Sequence, residues 1–155
     1  MNTTAILTRL EAVEAEAQKL RKLLTKKEGP IMDRIKTWDD VCDELGLDAD
    51  TILPYMVPKS EDEKAINAFT QLNYIRQVLN EGWVPNWDDS SEYKYTPWFD
   101  MRGTSGGSGF SFSDFDCYDF TYSYVGSRLC YKSEELAKYA GTQFVEVYKA
   151  LFIIK

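Results

Sequence analysis

The chain has 155 residues, 44% of them hydrophobic, with a formal net charge of −7. That is enough apolar material for one ordinary domain plus an appendage, and the acidity opposes non-specific binding to nucleic acid or an anionic membrane, which needs clustered Lys and Arg. There is no histidine, which excludes Ser-His-Asp, Cys-His and His-based zinc chemistry within one chain.

An acidic surface suits a basic partner or nucleic-acid mimicry, although carboxylates are commonly only a solvated face. Three cysteines, Cys42, Cys117 and Cys130, form no C-x-x-C pair, so they read as reduced, buried thiols rather than a closed zinc site. No apolar leader core and no run long enough to span a bilayer is present, so the expectation is a protein made in the cytosol and soluble there.

From the start of the chain, Ile6, Leu10, Val13, Ala17, Leu20 and Leu24 alternate at spacings of four and three. This is a heptad seam, with Leu10, Ala17 and Leu24 at a and Ile6, Val13 and Leu20 at d. Thr3 or Thr4 can cap its start, and Gly29-Pro30 ends it. A lone helix of about three heptads is marginal in water, so the seam must be buried against its own globular body or against copies of itself. Glu11, Glu14 and Glu16 come early, and Lys19, Arg21, Lys22, Lys26 and Lys27 come late, which complements the helix dipole. Within it, "RLEAVE" resembles a short trimer-favouring coiled-coil pattern, with Arg9 at g, Leu10 at a, Val13 at d and Glu14 at e. The resemblance implies an inter-chain Arg–Glu pair in a parallel homotrimer. Residues 1–29 are therefore predicted to be an oligomerisation helix, 30–36 a junction and 37–155 a single domain.

In that domain "KTWDDVCDELGL" predicts a short helix, with Thr37 as N-cap, Asp40 closing a capping box and Gly46 as terminator. Trp38, Val41, Cys42 and Leu45 share one face. After a loop with Pro54 and Pro58, Ser60 and Glu63 predict a second capping box. The long helix that follows is expected to run to Gly82, with Ala65, Ile66, Phe69, Leu72, Ile75 and Leu79 as its buried stripe. Beyond Gly82, large residues alternate in "WVPNWDDSSEYKYTPWFDM", "RGTSGGSG" suits a hairpin tip, and "FSFS", Tyr118 to Tyr124 and "SRLCYK" suit short strands. Ser133 is expected to cap one final helix with Leu136, Ala140, Phe144, Val147, Tyr148 and Leu151 inward. The expectation is an α+β domain: an antiparallel sheet of three or four strands packed with about three helices.

Motifs for chemistry are weak. Asp114, Asp116 and Asp119 lie close together, but the EF-hand's spacing, central Gly and terminal Glu are missing. They and the group Asp88, Asp89 and Glu92 read as hydrated acidic loops. "GTSGGSG" lacks the Gly-Lys-Ser/Thr of a phosphate cradle. No cofactor or metal site is predicted, and no catalytic residue is assigned. The aromatic set (Trp83, Trp87, Tyr93, Tyr95, Trp98, Phe99, Phe115, Tyr118, Phe120, Tyr122, Tyr124) exceeds what one face of a small sheet can bury. Some rings are core; others are expected at a recognition surface, since rings give large contact at low entropic cost. Trp98, Phe115, Tyr118, Phe120, Tyr122 and Arg128 are the candidate ligand-binding residues. For Arg128 a structural role, pairing with a carboxylate to pin the sheet to the last helix, is preferred to catalysis.

"EYKYTPWF" (Glu92 to Phe99), "GFSF" (Gly109 to Phe112) and "VGSRLCYKSEELAKYAGTQFVEVYK" (Val125 to Lys149) resemble a group of small uncharacterised proteins encoded by gut Bacteroides and their phages, including crAss-like phages. "TWDDVCDELGLD" is similar to the group's earlier helix. The resemblance spans about Trp83 to Lys149, leaves out the coiled-coil region, and implies a phage origin without implying an activity. The expectation is a non-enzymatic, trimeric phage or phage-derived module that binds a protein or glycan, not nucleic acid or membrane. It would be made in the host cytoplasm and could be built into the virion as an appendage or decoration. The competing reading is an intracellular inhibitor of host defence that sequesters a protein or a nucleotide signal, with Lys94, Arg102, Arg128 and Lys132 as the cations available to an anion.

Overall fold

The computed structural model describes residues 8–10, 12–14, 16–17, 29–101 and 127–154, and the backbone of 111–113. The chain divides into two compact units, Met1–Arg34 and Ile35–Lys155. In the first, residues 8–10, 12–14, 16 and 17 are helical and exposed. A four-residue helix, α1 (Ile31–Arg34), follows Gly29 and Pro30. Arg34 Nε donates to the carbonyl of Gly29 (3.3 Å).

The second unit is built mainly from helices: α2 (Trp38–Leu45), α3 (Glu61–Leu79), α4 (Glu134–Gln143) and α5 (Val145–Phe152). The capping logic holds locally. The Thr37 hydroxyl accepts from the Asp40 amide (3.2 Å), and the Asp40 carboxylate accepts from the Thr37 amide (3.0 Å). Gly46 ends α2 in the left-handed conformation (φ 67°), where the absence of Cβ removes the usual penalty. Ser60 caps α3 by accepting from the Glu63 amide (3.1 Å), and Ser133 caps α4 through the Leu136 amide (3.3 Å). At its other end α3 stops at Leu79, and the chain turns through two left-handed residues, Glu81 (φ 49°) and Gly82 (φ 84°).

The core lies where α3 packs on α2, α4 and α5. Val41, Cys42, Leu72, Ile75, Leu79, Leu136, Ala140, Phe144 and Tyr148 fill it. Two hydrogen bonds fasten α4 to the chain just before α2: Tyr139 Oη donates to the Ile35 carbonyl (2.6 Å) and Gln143 Nε2 to the Lys36 carbonyl (2.7 Å).

The expected α+β domain is overturned, because the described residues are mostly helical. Their strand content is one two-stranded antiparallel ladder, β1 (Trp98–Asp100) with β2 (Ser111–Ser113), in the register Trp98–Ser113, Phe99–Phe112, Asp100–Ser111. That pairing joins the two ends of the expected hairpin tip. The strand expected in "SRLCYK" is reduced to an isolated bridge, Tyr95 with Tyr131 (N···O 2.7 and 3.2 Å). The reason is that its neighbours do not continue the ladder. Residues on either side of Tyr131 give their backbone groups to a side chain, Asn80: its Nδ2 donates to the Cys130 carbonyl (2.9 Å) and its Oδ1 accepts from the Lys132 amide (3.0 Å). The strand expected over Tyr118 to Tyr124 lies outside the described residues.

Two helical expectations also change. The stripe on α3 is rotated. Ile66 and Phe69 are exposed, whereas Asn67, Ala68 and Val78 are buried with Leu72, Ile75 and Leu79. The final helix is two helices, broken at Phe144, whose backbone (φ −110°, ψ 28°) leaves the helical region. The break re-aims α5, so that Phe144 and Tyr148 are both buried while Val147 and Leu151 stay half-exposed.

Asn80→Ala is expected to cost about 2–4 kcal/mol, because two buried backbone groups lose their partner at once. Urea unfolding measures it, and a loss below about 0.5 kcal/mol, the level of an indifferent surface change, would show that the bridge does not hold α3 to Cys130–Lys132.

Candidate functional site

Along β1 successive side chains point to opposite sides. Phe99 turns inward, its ring 4.9 Å from that of Tyr148 and 5.9 Å from that of Phe152. Tyr148 and Phe152, one turn apart on α5, stack at 6.0 Å. Behind them the Tyr131 and Tyr148 hydroxyls share a hydrogen bond (3.0 Å), both residues being fully buried. Burial pushes both phenols well above the ordinary tyrosine value; at Tyr131 the hydrogen bond with Tyr148 and then the charge of Arg76 oppose this without reversing it, whereas at Tyr148 the neighbouring Tyr131 adds to it.

In front of this cluster lies a shallow groove of about 300 Å³ lined by Pro97, Trp98, Phe99, Met101 and Phe152. Trp98 is 48% exposed, Met101 54% and Phe152 40%. None of the five linings is an acid, a base or a nucleophile, so the groove can bind apolar or aromatic surface but cannot itself move a proton. Its volume is at the lower bound of small-ligand pockets.

The loop leading to β1 is organised around a buried cation. Lys94 is 7% exposed. Its ammonium donates to the carbonyls of Asn86 (2.6 Å), Glu92 (2.8 Å) and Asp89 (3.1 Å), pairs with the Glu92 carboxylate (3.0 Å) and sits 5.6 Å from the centre of the Trp87 ring. The acids of this loop are likewise engaged. Asp89 accepts from the Ser91 hydroxyl (2.6 Å) and amide (2.8 Å), which lowers its pKa. For Glu92, burial pushes upward, but Lys94 and the Asn86 amide (2.7 Å) outweigh it and the net shift is down. Asp89 and Glu92 therefore fold the loop; they are not an open carboxylate cluster. Among the described residues no group of three potential metal ligands comes together.

Of the sequence-predicted ligand-binding residues, Trp98 lies in the groove. Arg128 is exposed on the turn at 127–129 and makes no ion pair among the described residues. Phe115, Tyr118, Phe120 and Tyr122 lie outside the described residues, as do Asp114, Asp116, Asp119 and Cys117. Cys42 and Cys130 are buried, and burial raises both thiols, which makes them poor nucleophiles. Of the seam residues, Arg9, Leu10, Val13, Glu14 and Ala17 are exposed; Ile6, Leu20 and Leu24 lie outside the described residues. Sequence reasoning missed Met101 and Phe152. The only signal for Phe152 was its place one turn beyond Tyr148.

In an alkaline titration followed by phenolate absorbance, Tyr131 and Tyr148 are expected to ionise only as the chain unfolds. The folded values are raised, so the unfolded chain loses those protons first. Stability is then full below about pH 10 and falls as pH rises above it. All ten tyrosines ionising together with the helical signal intact would contradict this. Lys94→Met removes the ammonium but keeps the stem. It should speed amide exchange at Asn86, Ser91 and Glu92 by about tenfold or more, while unchanged exchange would deny Lys94 its organising role.

In comparisons with known proteins, no family model, no curated protein and no solved structure matches this chain.

Proposed function

We propose that the protein is a non-enzymatic, self-associating binding module, with the homotrimer as the favoured state. Copies join through the opening helix, and each head offers the aromatic groove at Trp98 to a protein or glycan ligand. The observation that carries this reading is the solvent exposure of the seam: Leu10 is 52% exposed and Val13 61%, on helical backbone, with Ala17 exposed one turn further on. Apolar residues at heptad spacing gain stability by being covered, and facing copies cover a and d positions in knobs-into-holes fashion. Joining several weak sites on one helix raises the strength of attachment to a repeated ligand.

Phage descent, with service as a virion appendage or decoration, rests on the resemblance carried by Glu92–Phe99, Gly109–Phe112 and Val125–Lys149. The competing reading is an intracellular inhibitor that captures a protein or a nucleotide signal; of the cations named for the nucleotide case, Arg128 is exposed and Arg102 lies outside the described residues. Lys94 is enclosed by carbonyls, and Lys132 is paired with Glu81 (2.8 Å).

Light scattering of the full chain should give three times the monomer mass, and Leu10→Asp combined with Leu20→Asp should give a folded monomer with an unchanged thermal midpoint of the head. A wild-type chain that is monomeric at all concentrations, or a double variant that keeps its assembly state, would refute the proposal.

A further inference from the structure

Away from the aromatic groove, the loop between α2 and α3 carries "PYMVP", Pro54 to Pro58. Met56 is 73% exposed, Val57 76% and Tyr55 36%. The prolines fix their own φ and bias the residue before each toward extended backbone. A side chain on α3 pins the loop. Asn67 is buried, and its amide makes both bonds that a neighbouring strand would make to Tyr55: Oδ1 accepts from the Tyr55 amide (3.0 Å) and Nδ2 donates to the Tyr55 carbonyl (2.7 Å). The two most exposed apolar residues of the loop thus follow directly on an anchored one. On α3, Ile66 next to Asn67 is 45% exposed, and Phe69, one turn on, 39%. Scattered apolar side chains at a surface need no explanation, but five within fifteen residues of sequence, three of them in a loop clamped at Tyr55, do.

Charge identifies what covers them. Between Thr37 and Thr70 there are nine carboxylates and two lysines, a net charge of −7. The whole chain is also −7, so the remainder is balanced and all of the excess negative charge belongs to this stretch. Asp48 and Asp50 precede the loop and Glu61 and Asp62 follow it, all four exposed. Such a field repels anionic lipid, nucleic acid and a second copy of the same face, and it attracts a cationic segment.

We propose that the Tyr55–Val57 loop and the adjoining side of α3 form a docking surface for a cationic amphipathic segment of another protein, whose apolar side meets Met56, Val57, Ile66 and Phe69 while its Lys or Arg residues face the surrounding carboxylates. Recognition of this kind uses a few apolar anchors for affinity and the charges for encounter and discrimination. A loop fixed before binding loses little further conformational entropy when it is covered.

The probe is a synthetic helical peptide of Leu and Lys in amphipathic register, labelled for fluorescence anisotropy and titrated with the full chain at physiological salt. Binding is expected, with amide chemical-shift changes at residues 55–57 and 66–69. Met56→Ser combined with Val57→Ser, both at exposed positions, should weaken binding about tenfold or more with an unchanged thermal midpoint. A Leu and Glu peptide of the same register should not bind. Equal affinity of the double variant would reduce the effect to bulk charge and overturn the proposal. So would shift changes confined to the Trp98 groove, binding to anionic phosphatidylserine vesicles, or a change in the chain's own assembly state on mutating Met56 and Val57, which would make a second copy the occupant.

Discussion

The fold of the second unit depends on one carboxamide. Asn80 sits at the end of α3, 1% exposed, and satisfies the carbonyl of Cys130 and the amide of Lys132 together. Buried backbone groups without partners are costly, and here a side chain from a segment fifty residues earlier in the chain supplies both partners. The residue between them, Tyr131, is thereby placed. Its backbone pairs with Tyr95, and its hydroxyl meets Tyr148 on α5. One short stretch thus joins the end of α3, the loop before β1 and α5. The aromatic cluster that backs the groove inherits its position from that junction.

The same device recurs in two loops, the second of them in the region where a sheet was expected. Asn67 pairs with both backbone groups of Tyr55, and Lys94 gathers three carbonyls of its own loop. In each case a polar side chain, largely removed from water, does what a neighbouring strand would do. Around Tyr131 and Lys94 this leaves the aromatic, alternating sequence with little ladder among the described residues. Alternation says which way side chains point, but a strand also needs a partner backbone in register. Exposed ion pairs such as Lys132–Glu81 or Lys64–Glu61 add little by comparison, since solvent screens them and ordering long side chains costs entropy.

Surface chemistry is divided between distinct places. The seam of the opening helix offers Leu10 and Val13 to solvent, the groove beside β1 offers Trp98, Met101 and Phe152, and the loop before α3 offers Met56 and Val57. Only the last lies within the acidic stretch. A neutral aromatic groove and an apolar loop set among carboxylates select different partners. The first selects by shape and ring contact, the second by sign of charge as well.

The sequence by itself determined what depends on neighbours along the chain. The caps at Thr37, Ser60 and Ser133 and the terminator Gly46 were legible because each is satisfied within a few residues of itself. The exclusion of histidine chemistry follows from composition alone. Tertiary structure decided the rest: that Asn67 and Asn80 turn inward while Ile66 and Phe69 turn out, that Lys94 is enclosed rather than available to an anion, that "SRLCYK" contributes one bridge instead of a strand, that the last helix breaks at Phe144, and that Phe152 completes the groove with Trp98. For the polar residues the physical reason is the same. Burying a polar group is costly unless another part of the chain brings it a hydrogen-bond partner, and local periodicity does not record which part that is.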